Sequence, residues 1–314
     1  MFRSATLLSV HLTRVSVAAT PSRRRFATAR FLAMALLAVP SLLMSAAGAA
    51  STSTGQDSVV VWVDVEGKPL PFQQDAELAE FLRSAKIVGN TKIEIGITEP
   101  RKLVLEQNGI RVHAAFRNVD ETHSRVRMGD GSFYQKLRDY CGFEIAAYEL
   151  SKMLGMDNVP PAVGRRLGRT DGSLQIWVEG TMMESERVEK GLRSPNFVGW
   201  RRQVQEMLLF DELIGNIDRN PGNLLIDENW KVWLIDHTRA FQQGKELKKA
   251  AKITWVRQGF WDRLQALDRD TVISAIDNFV AARGIDDMFK RRDSLVEHIQ
   301  GLIEERGAEA VLYQ

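Results

Sequence analysis

The sequence predicts an α+β fold in which a β-rich first half, with one helix inside it, gives way to a mostly helical second half. Three observations carry this. The stretch TKIEIGITEPRKLVLEQNGIRVHAAFRNV alternates apolar and polar residues and is broken by the turn signals Thr98-Glu99-Pro100 and Asn108-Gly109. One apolar-periodic helix follows it, and from about Asn196 helical periodicity dominates apart from the hairpin-like NLLIDENWKVWLID. With 314 residues, 44% of them hydrophobic, the chain is long enough to bury a full core.

Residues 1–50 read as a leader. They hold six arginines and no acidic residue. The apolar run Phe31 to Met44 follows Arg30 and is succeeded by small residues, the order of an export signal. That run is shorter than the roughly 20 residues a straight spanning helix needs, and Pro40 interrupts it, so cleavage is expected rather than a stable membrane span. The segment SRRRF resembles a twin-arginine signal; an organelle transit peptide, or a true start at Met34, are the other readings of the same residues. An exported location, periplasmic, extracellular or within a secretory compartment, is expected if the leader is real, and a cytoplasmic one otherwise.

Residues 51–74 read as a linker containing the short strand VVVWVDV. A helix is expected over DAELAEFLRSAKIV, where Leu78, Phe81, Leu82 and Ala85 recur at helical spacing. The alternating stretch gives two or three antiparallel strands. A helix from about Phe133 to Leu154 stops at Gly155, before the breaker Val159-Pro160-Pro161. AVGRRL and SLQIWVE are strands separated by Asp171-Gly172. A helix from about Trp200 to Ile214 comes next, and TVISAIDNFVAARG and DSLVEHIQGLIEERG read as amphipathic supports. Trp255, Phe260 and Trp261 are expected in the core.

Composition narrows the function. The total charge is +2 and the leader carries six positive charges, so the body is at −4, with no lysine-rich stripe; nucleic acid is not an expected partner. A single cysteine, Cys141, excludes an intrachain disulfide and a multi-cysteine zinc site, and its apolar surroundings make it a buried thiol.

The densest chemical signal is FDELIGNIDRNPGNLLIDENWKVWLIDHTRAF, Phe210 to Phe241. A helix delivers the chain to Asn216, Asp218 opens a polar loop ending at Asn223, and a hairpin turning at Glu228-Asn229 returns Asp236 to the same edge. Phosphoryl transfer needs such a set, because catalysis there is positioning plus charge neutralisation. Asp218 suits the orientation and deprotonation of an attacking hydroxyl; Asn223 and Asp236 suit oxygen ligation of Mg²⁺. The plainer reading makes Asp218 and Asn223 turn formers and Asp236 a solvated strand end.

This segment is similar to the catalytic and metal-binding loops of atypical kinases: the secretory-pathway casein kinase (four-jointed-like) family and, more distantly, HipA-like and phosphatidylinositol 3-/4-kinase-like kinases. FYQKLRDYCGFEIAAYELSKMLGMDNVPPAVGR resembles the first family's helix, with Val-Pro-Pro and Gly-Arg after it. The resemblance implies a bilobal protein-kinase-like fold, with an N-lobe over 75–181 and a C-lobe over 182–314. It implies ATP with Mg²⁺ or Mn²⁺ as cofactors, a nucleotide lid at Gly96 and Thr98, a hinge near Glu179, and Glu144 as the partner of the phosphate-binding cation. At that cation's position the family's lysine is replaced by Arg117. Either Arg117 substitutes, or Lys102 on the preceding strand reaches in, or nucleotide binds without fast turnover. His237-Thr238 stands where Phe-Gly is usual; packing of His237 against the preceding helix is expected. The implied activity is transfer of the γ-phosphoryl group to a hydroxyl of a protein serine, a sugar or a lipid head group. The alternative is a nucleotide-binding pseudokinase with a regulatory or scaffolding role.

Overall fold

Alternation organises the first half of the molecule. The computed structural model describes residues 62–93, 100–127, 131 and 133–314; the leader and the Gly96–Thr98 lid lie outside these. Helix α1 (Asp75–Ser84) leads into strands β1 (Lys86–Lys92), β2 (Arg101–Gln107) and β3 (Ile110–Arg117). The hairpin β4 (Asp120–Arg127) and β5 (Phe133–Tyr140) follows, then helix α2 (Gly142–Met153) and strands β6 (Ala162–Leu167) and β7 (Thr170–Ile176). Five strands form one antiparallel sheet in the order β1-β2-β3-β7-β6.

Period-two burial gives this sheet two distinct faces. Leu103, Leu105, Val112, Ala114, Phe116, Leu174 and Ile176 pack on one side against Leu78, Phe81 and Leu82 of α1, with Leu70 from the segment before the helix. The register aligns Lys102 with Ala115 and Ala115 with Gln175, so these three and Arg117 share the other face. The Glu77 carboxylate caps α1 by accepting the N–H groups of Gln73 and Gln74 at 2.6 and 3.1 Å.

Several boundaries differ from those the sequence suggests. Helix α1 stops at Ser84, and Lys86 to Val88, expected to be helical, open β1. Phe133 to Tyr140 is strand rather than helix: it pairs with β4 along its whole length, turning Leu137 and Asp139 inward. The strand β4, DETHSRVR, was not anticipated, because exposure along nearly its whole length removes the apolar alternation that would mark it. The helix begins only at Gly142, where a Cβ would lie 2.4 Å from the Tyr140 ring. The β6–β7 turn is Gly168-Arg169, with Asp171-Gly172 inside β7.

The second half opens with β8 (Met182–Met183) and α3 (Glu184–Glu189), followed by α4 (Phe197–Ile214), β9 (Leu224–Ile226) and β10 (Val232–Leu234). Strand β11 (Val256–Arg257), helices α5 (Gln258–Gln265), α6 (Arg269–Ile276), α7 (Ala282–Arg306) and α8 (Ala308–Val311), and strand β12 (Leu312–Tyr313) complete it. TVISAIDNFVAARG is therefore not one helix: Val280 is drawn into the core and Ala281 is extended, so α6 and α7 are separate. Phe210, Leu213, Phe260, Val272, Met288 and Ile299 meet in one core, joined by Ala146, Ala147 and Leu150 of α2. Phe260 and Trp261 are buried as expected, whereas Trp255 is partly exposed beneath the Arg201 guanidinium. Two lobes result, one sheet-rich and one helical, with α2 sealed into the helical core and a cleft under the sheet. Among the described residues no helix is long and apolar enough to cross a membrane.

Candidate active site

Helix α4 ends at Ile214, and the chain that follows is held from below by a buried ion pair. Arg219 meets both oxygens of Asp211, Nε lying 3.0 Å from Oδ2 and Nη2 3.0 Å from Oδ1. Its remaining nitrogen, Nη1, donates to the carbonyls of Asn223 and Ile235, each at 2.8 Å. One side chain thus ties the end of the polar loop to the end of β10. Both partners are 3% exposed. Asn223 donates Nδ2 to the Asp218 carbonyl at 2.8 Å, closing the loop on itself. Antiparallel pairing of Leu224 with Leu234 then sets Asp236 beside Asn223. Asp218, Asn223 and Asp236 line one cleft of about 660 Å³.

Asp236 has a left-handed backbone, φ 59°, which short polar side chains tolerate. The turn it makes points the His237 N–H at Glu144 Oε2, 2.9 Å away, while His237 Nδ1 lies 2.8 Å from Oε1. Gln175 Nε2 donates to the same Oε1 at 2.9 Å. The His237 ring also meets Phe210 of α4 edge-on, the packing expected of it. All of this is buried. Burial pushes the Glu144 carboxyl up, but the His237 imidazole and N–H and the Arg117 charge outweigh it and hold it down at about 2.

The ion pair expected between Glu144 and Arg117 is therefore not the one that forms. Glu144 is consumed by His237 and Gln175, and Arg117 Nη2 lies 3.5 Å from Asp236 Oδ2. The cause is competition: His237 presents two nitrogens to Glu144 at hydrogen-bond distance, whereas among the described residues Asp236 has, besides Arg117, the Thr238 hydroxyl 3.0 Å from Oδ1. Arg117 is held above its ordinary value, burial being outweighed by Asp236, Glu144 and Asp139. Among the described residues its buried Nε has no hydrogen-bond partner. Lys102 does not line the cleft; its ammonium sits 4.2 Å over the Trp177 ring.

Arg239 bridges two carboxylates, Asp139 of β5 at 2.8 Å and Asp218 at 3.1 Å. Glu179 lines the opposite end of the cleft with Trp177, Val178 and Gly180, its carboxylate 2.5 Å from His113 Nδ1. Asp139, Arg219 and Gln175 escaped the reading of the sequence. The only trace was local: Arg219 directly follows Asp218, and Asp211 stands eight residues before it.

The donor set fits a divalent cation that arrives with phosphate. Asp139, Glu144, Asp218 and Asp236 outnumber Arg117 and Arg239, so the site carries an acidic excess. Asn223 commits its amide nitrogen to Asp218, which leaves Oδ1 as a ligand oxygen beside the Asp236 carboxylate. Among the described residues no group of three or more His, Cys, Asp or Glu stands close enough to hold an ion unaided. Mg²⁺ commonly takes one or two carboxylates and completes its shell from phosphates and water.

No protein-family model matches this chain, and no curated protein matches its sequence. Solved structures do share its fold. A hydra Fam20 with sugar superposes with a TM-score of 0.57 and 17% identity, over 77% of this chain and 93% of that one. The Golgi casein kinase gives 0.54 and 16%, over 76% of this chain and 78% of that one, as does its form with Mn/ADP bound. At such identities the likeness is one of fold.

Proposed function

We propose that this chain is an ATP- and divalent-metal-dependent phosphotransferase that moves the γ-phosphoryl group to a hydroxyl acceptor. The observation that carries the reading is the meeting of Asp218, Asn223 and Asp236 at one cleft, beneath a sheet face bearing Arg117. The neighbour solved with Mn/ADP adds support. Asp218, held by Arg239 and by Asn220 Nδ2 at 3.2 Å, orients the acceptor hydroxyl and takes its proton as the new O–P bond forms and the bond from the γ-phosphorus to the β,γ-bridging oxygen breaks, releasing ADP. Asn223 and Asp236 would hold the metal ion, which when bound would neutralise charge on the phosphates. Arg117 moves from Asp236 to the phosphates, supplying the positive charge that a lysine ordinarily brings. Trp177 to Gly180 face the base. The leader directs this chemistry to an exported compartment, which N-terminal sequencing of the mature chain tests.

A second reading has its own observation. Arg117 rests on the carboxylate assigned to the metal, as an internal cation would in a nucleotide-binding pseudokinase. Incubation of the purified chain with labelled ATP, Mg²⁺ or Mn²⁺ and protein, sugar and lipid acceptors separates the two. Transfer by the wild type that is lost in both Asp218→Ala and Asp236→Ala supports the phosphotransferase. Saturable nucleotide binding without transfer supports the pseudokinase, and equal transfer by all three proteins removes the site assignment.

A further inference from the structure

Arg239 lines the cleft with a side chain 24% exposed, and the proposed chemistry leaves one of its nitrogens unused. Nε donates to Asp139 Oδ2 at 2.8 Å and Nη1 to Asp218 Oδ2 at 3.1 Å. Among the described residues Nη2 has no hydrogen-bond partner. A guanidinium carries its five N–H donors in a rigid planar fork, so bonds to two carboxylates orient the group and leave the Nη2 donors to a ligand. Arg219, on the same loop, is the contrast: all three of its nitrogens are engaged within the protein and the side chain is 3% exposed.

The surrounding main chain fixes this arginine before any ligand arrives. Its carbonyl accepts the Ile217 N–H at 3.4 Å, the neighbouring Thr238 carbonyl accepts the Tyr140 N–H at 2.9 Å, and the Ala240 N–H donates to the His237 carbonyl at 2.9 Å. Asp139, 2% exposed on β5, anchors the head group from the other side. A donor held in this way costs no reorganisation when charge develops beside it. It also stays cationic: burial would lower its value, but the bond to Asp139 and the charges of Asp139, Asp218 and Asp236 hold it above the ordinary one. Its place in the cleft selects the ligand. A hydroxyl that yields its proton to Asp218 lies about 2.6–3.2 Å from that carboxylate, and the phosphorus it attacks lies about 3–3.5 Å beyond. The transferred group therefore comes within reach of the guanidinium bonded to the same carboxylate.

We propose that Arg239 receives the γ-phosphoryl group of the bound nucleotide, Nη2 donating to a non-bridging oxygen while Asp139 and Asp218 hold Nε and Nη1. Resting on the phosphotransferase reading, this makes Arg239 a further catalytic residue. The guanidinium keeps all its protons through the transfer. Its charge faces the oxygens of the γ-phosphoryl group while the acceptor oxygen bonds to phosphorus, the bond to the β,γ-bridging oxygen breaks and the acceptor proton passes to Asp218. Only a triphosphate brings the group that Nη2 meets, so the same contact separates ATP from ADP.

Calorimetric titration of the full chain with the β,γ-imido analogue of ATP and with ADP, each in the presence of Mg²⁺, reads this contact without turnover. In Arg239→Gln the ratio of the two affinities should shift about tenfold against the analogue, the loss of one charge-assisted hydrogen bond, while ADP affinity stays within about twofold. Arg239→Lys keeps a cation beside the buried Asp139 and serves if the glutamine variant does not fold. It should shift the ratio about fivefold, since one ammonium cannot reproduce the fork across three partners. Transfer of labelled phosphate should fall about 10²–10³-fold in Arg239→Gln. An unshifted ratio in a folded variant overturns the proposal even where transfer falls, because Arg239 then acts only by holding Asp218. Equal weakening of analogue and ADP overturns it too, since the contact then lies on phosphates that both carry. A shifted ratio in a wild-type protein that transfers nothing to any acceptor supports the contact and removes the phosphotransferase reading instead.

Discussion

Two guanidinium–carboxylate pairs flank the candidate catalytic loop, one below it and one above, and they are built differently. In the helical lobe Arg219 engages Asp211 through two nitrogens and spends its third on two carbonyls. Under the sheet Arg117 reaches Asp236 through one nitrogen at 3.5 Å, and among the described residues its Nε is unpartnered. The first pair has both charges and nearly every donor satisfied inside the protein, so it is scaffold. The second joins a buried cation to a carboxylate 29% exposed at the cleft wall, so one of its charges stays open to the cleft.

The difference can be broken from its stronger side first. Arg219→Ala strands a buried Asp211 and frees two carbonyls, and should cost about 3–5 kcal/mol in urea unfolding. A loss under about 1 kcal/mol would mean that the lower pair is no more structural than the upper one.

Next comes the carboxylate that declined the upper pair. Glu144→Gln should cost about 2 kcal/mol at neutral pH through its hydrogen-bonded network. Its folded-state value is depressed from 4.5 to about 2, so its contribution is present above about 4.5 and is lost as pH falls toward 2. Urea midpoints between pH 5 and 2 should fall more steeply for the wild type than for the variant; parallel curves would show that Glu144 does not carry this linkage.

The upper pair itself should be nearly silent in stability and loud in metal binding. Arg117→Met should change unfolding by about 1 kcal/mol or less, since Asp236 remains solvated. It should tighten nucleotide-free Mn²⁺ binding, read by electron paramagnetic resonance, about tenfold. Unaltered Mn²⁺ affinity would separate Arg117 from the metal site. The smallest effect is assigned to Lys102→Ala, about 0.5–1 kcal/mol from the lost contact with Trp177, with nucleotide affinity unmoved; a large loss of affinity would bring Lys102 into the cleft after all.

Much of the site was legible because it is local. Asp218, Asn223 and Asp236 lie within one loop and one hairpin, and turn chemistry at Pro221-Gly222 and Glu228-Asn229 forces their approach. The β4–β5 hairpin was illegible for the opposite reason: a strand exposed along its length has no burial pattern, so Phe133 to Tyr140 was absorbed into the helix after it. Asp139, carried on that strand to Arg239, was lost with it.

By itself the sequence determined the two-part architecture, the loop that brings two carboxylates and an amide together, and the presence of arginine at position 117, since each follows from periodicity, turn residues or identity over short spans. Only the tertiary structure determined which charge meets which. Glu144 and His237 are 93 positions apart, and Arg117 and Asp236 are farther still. Pairing at such separations is a competition among buried donors for a limited number of acceptor oxygens, and its outcome depends on where the two lobes place every competitor at once.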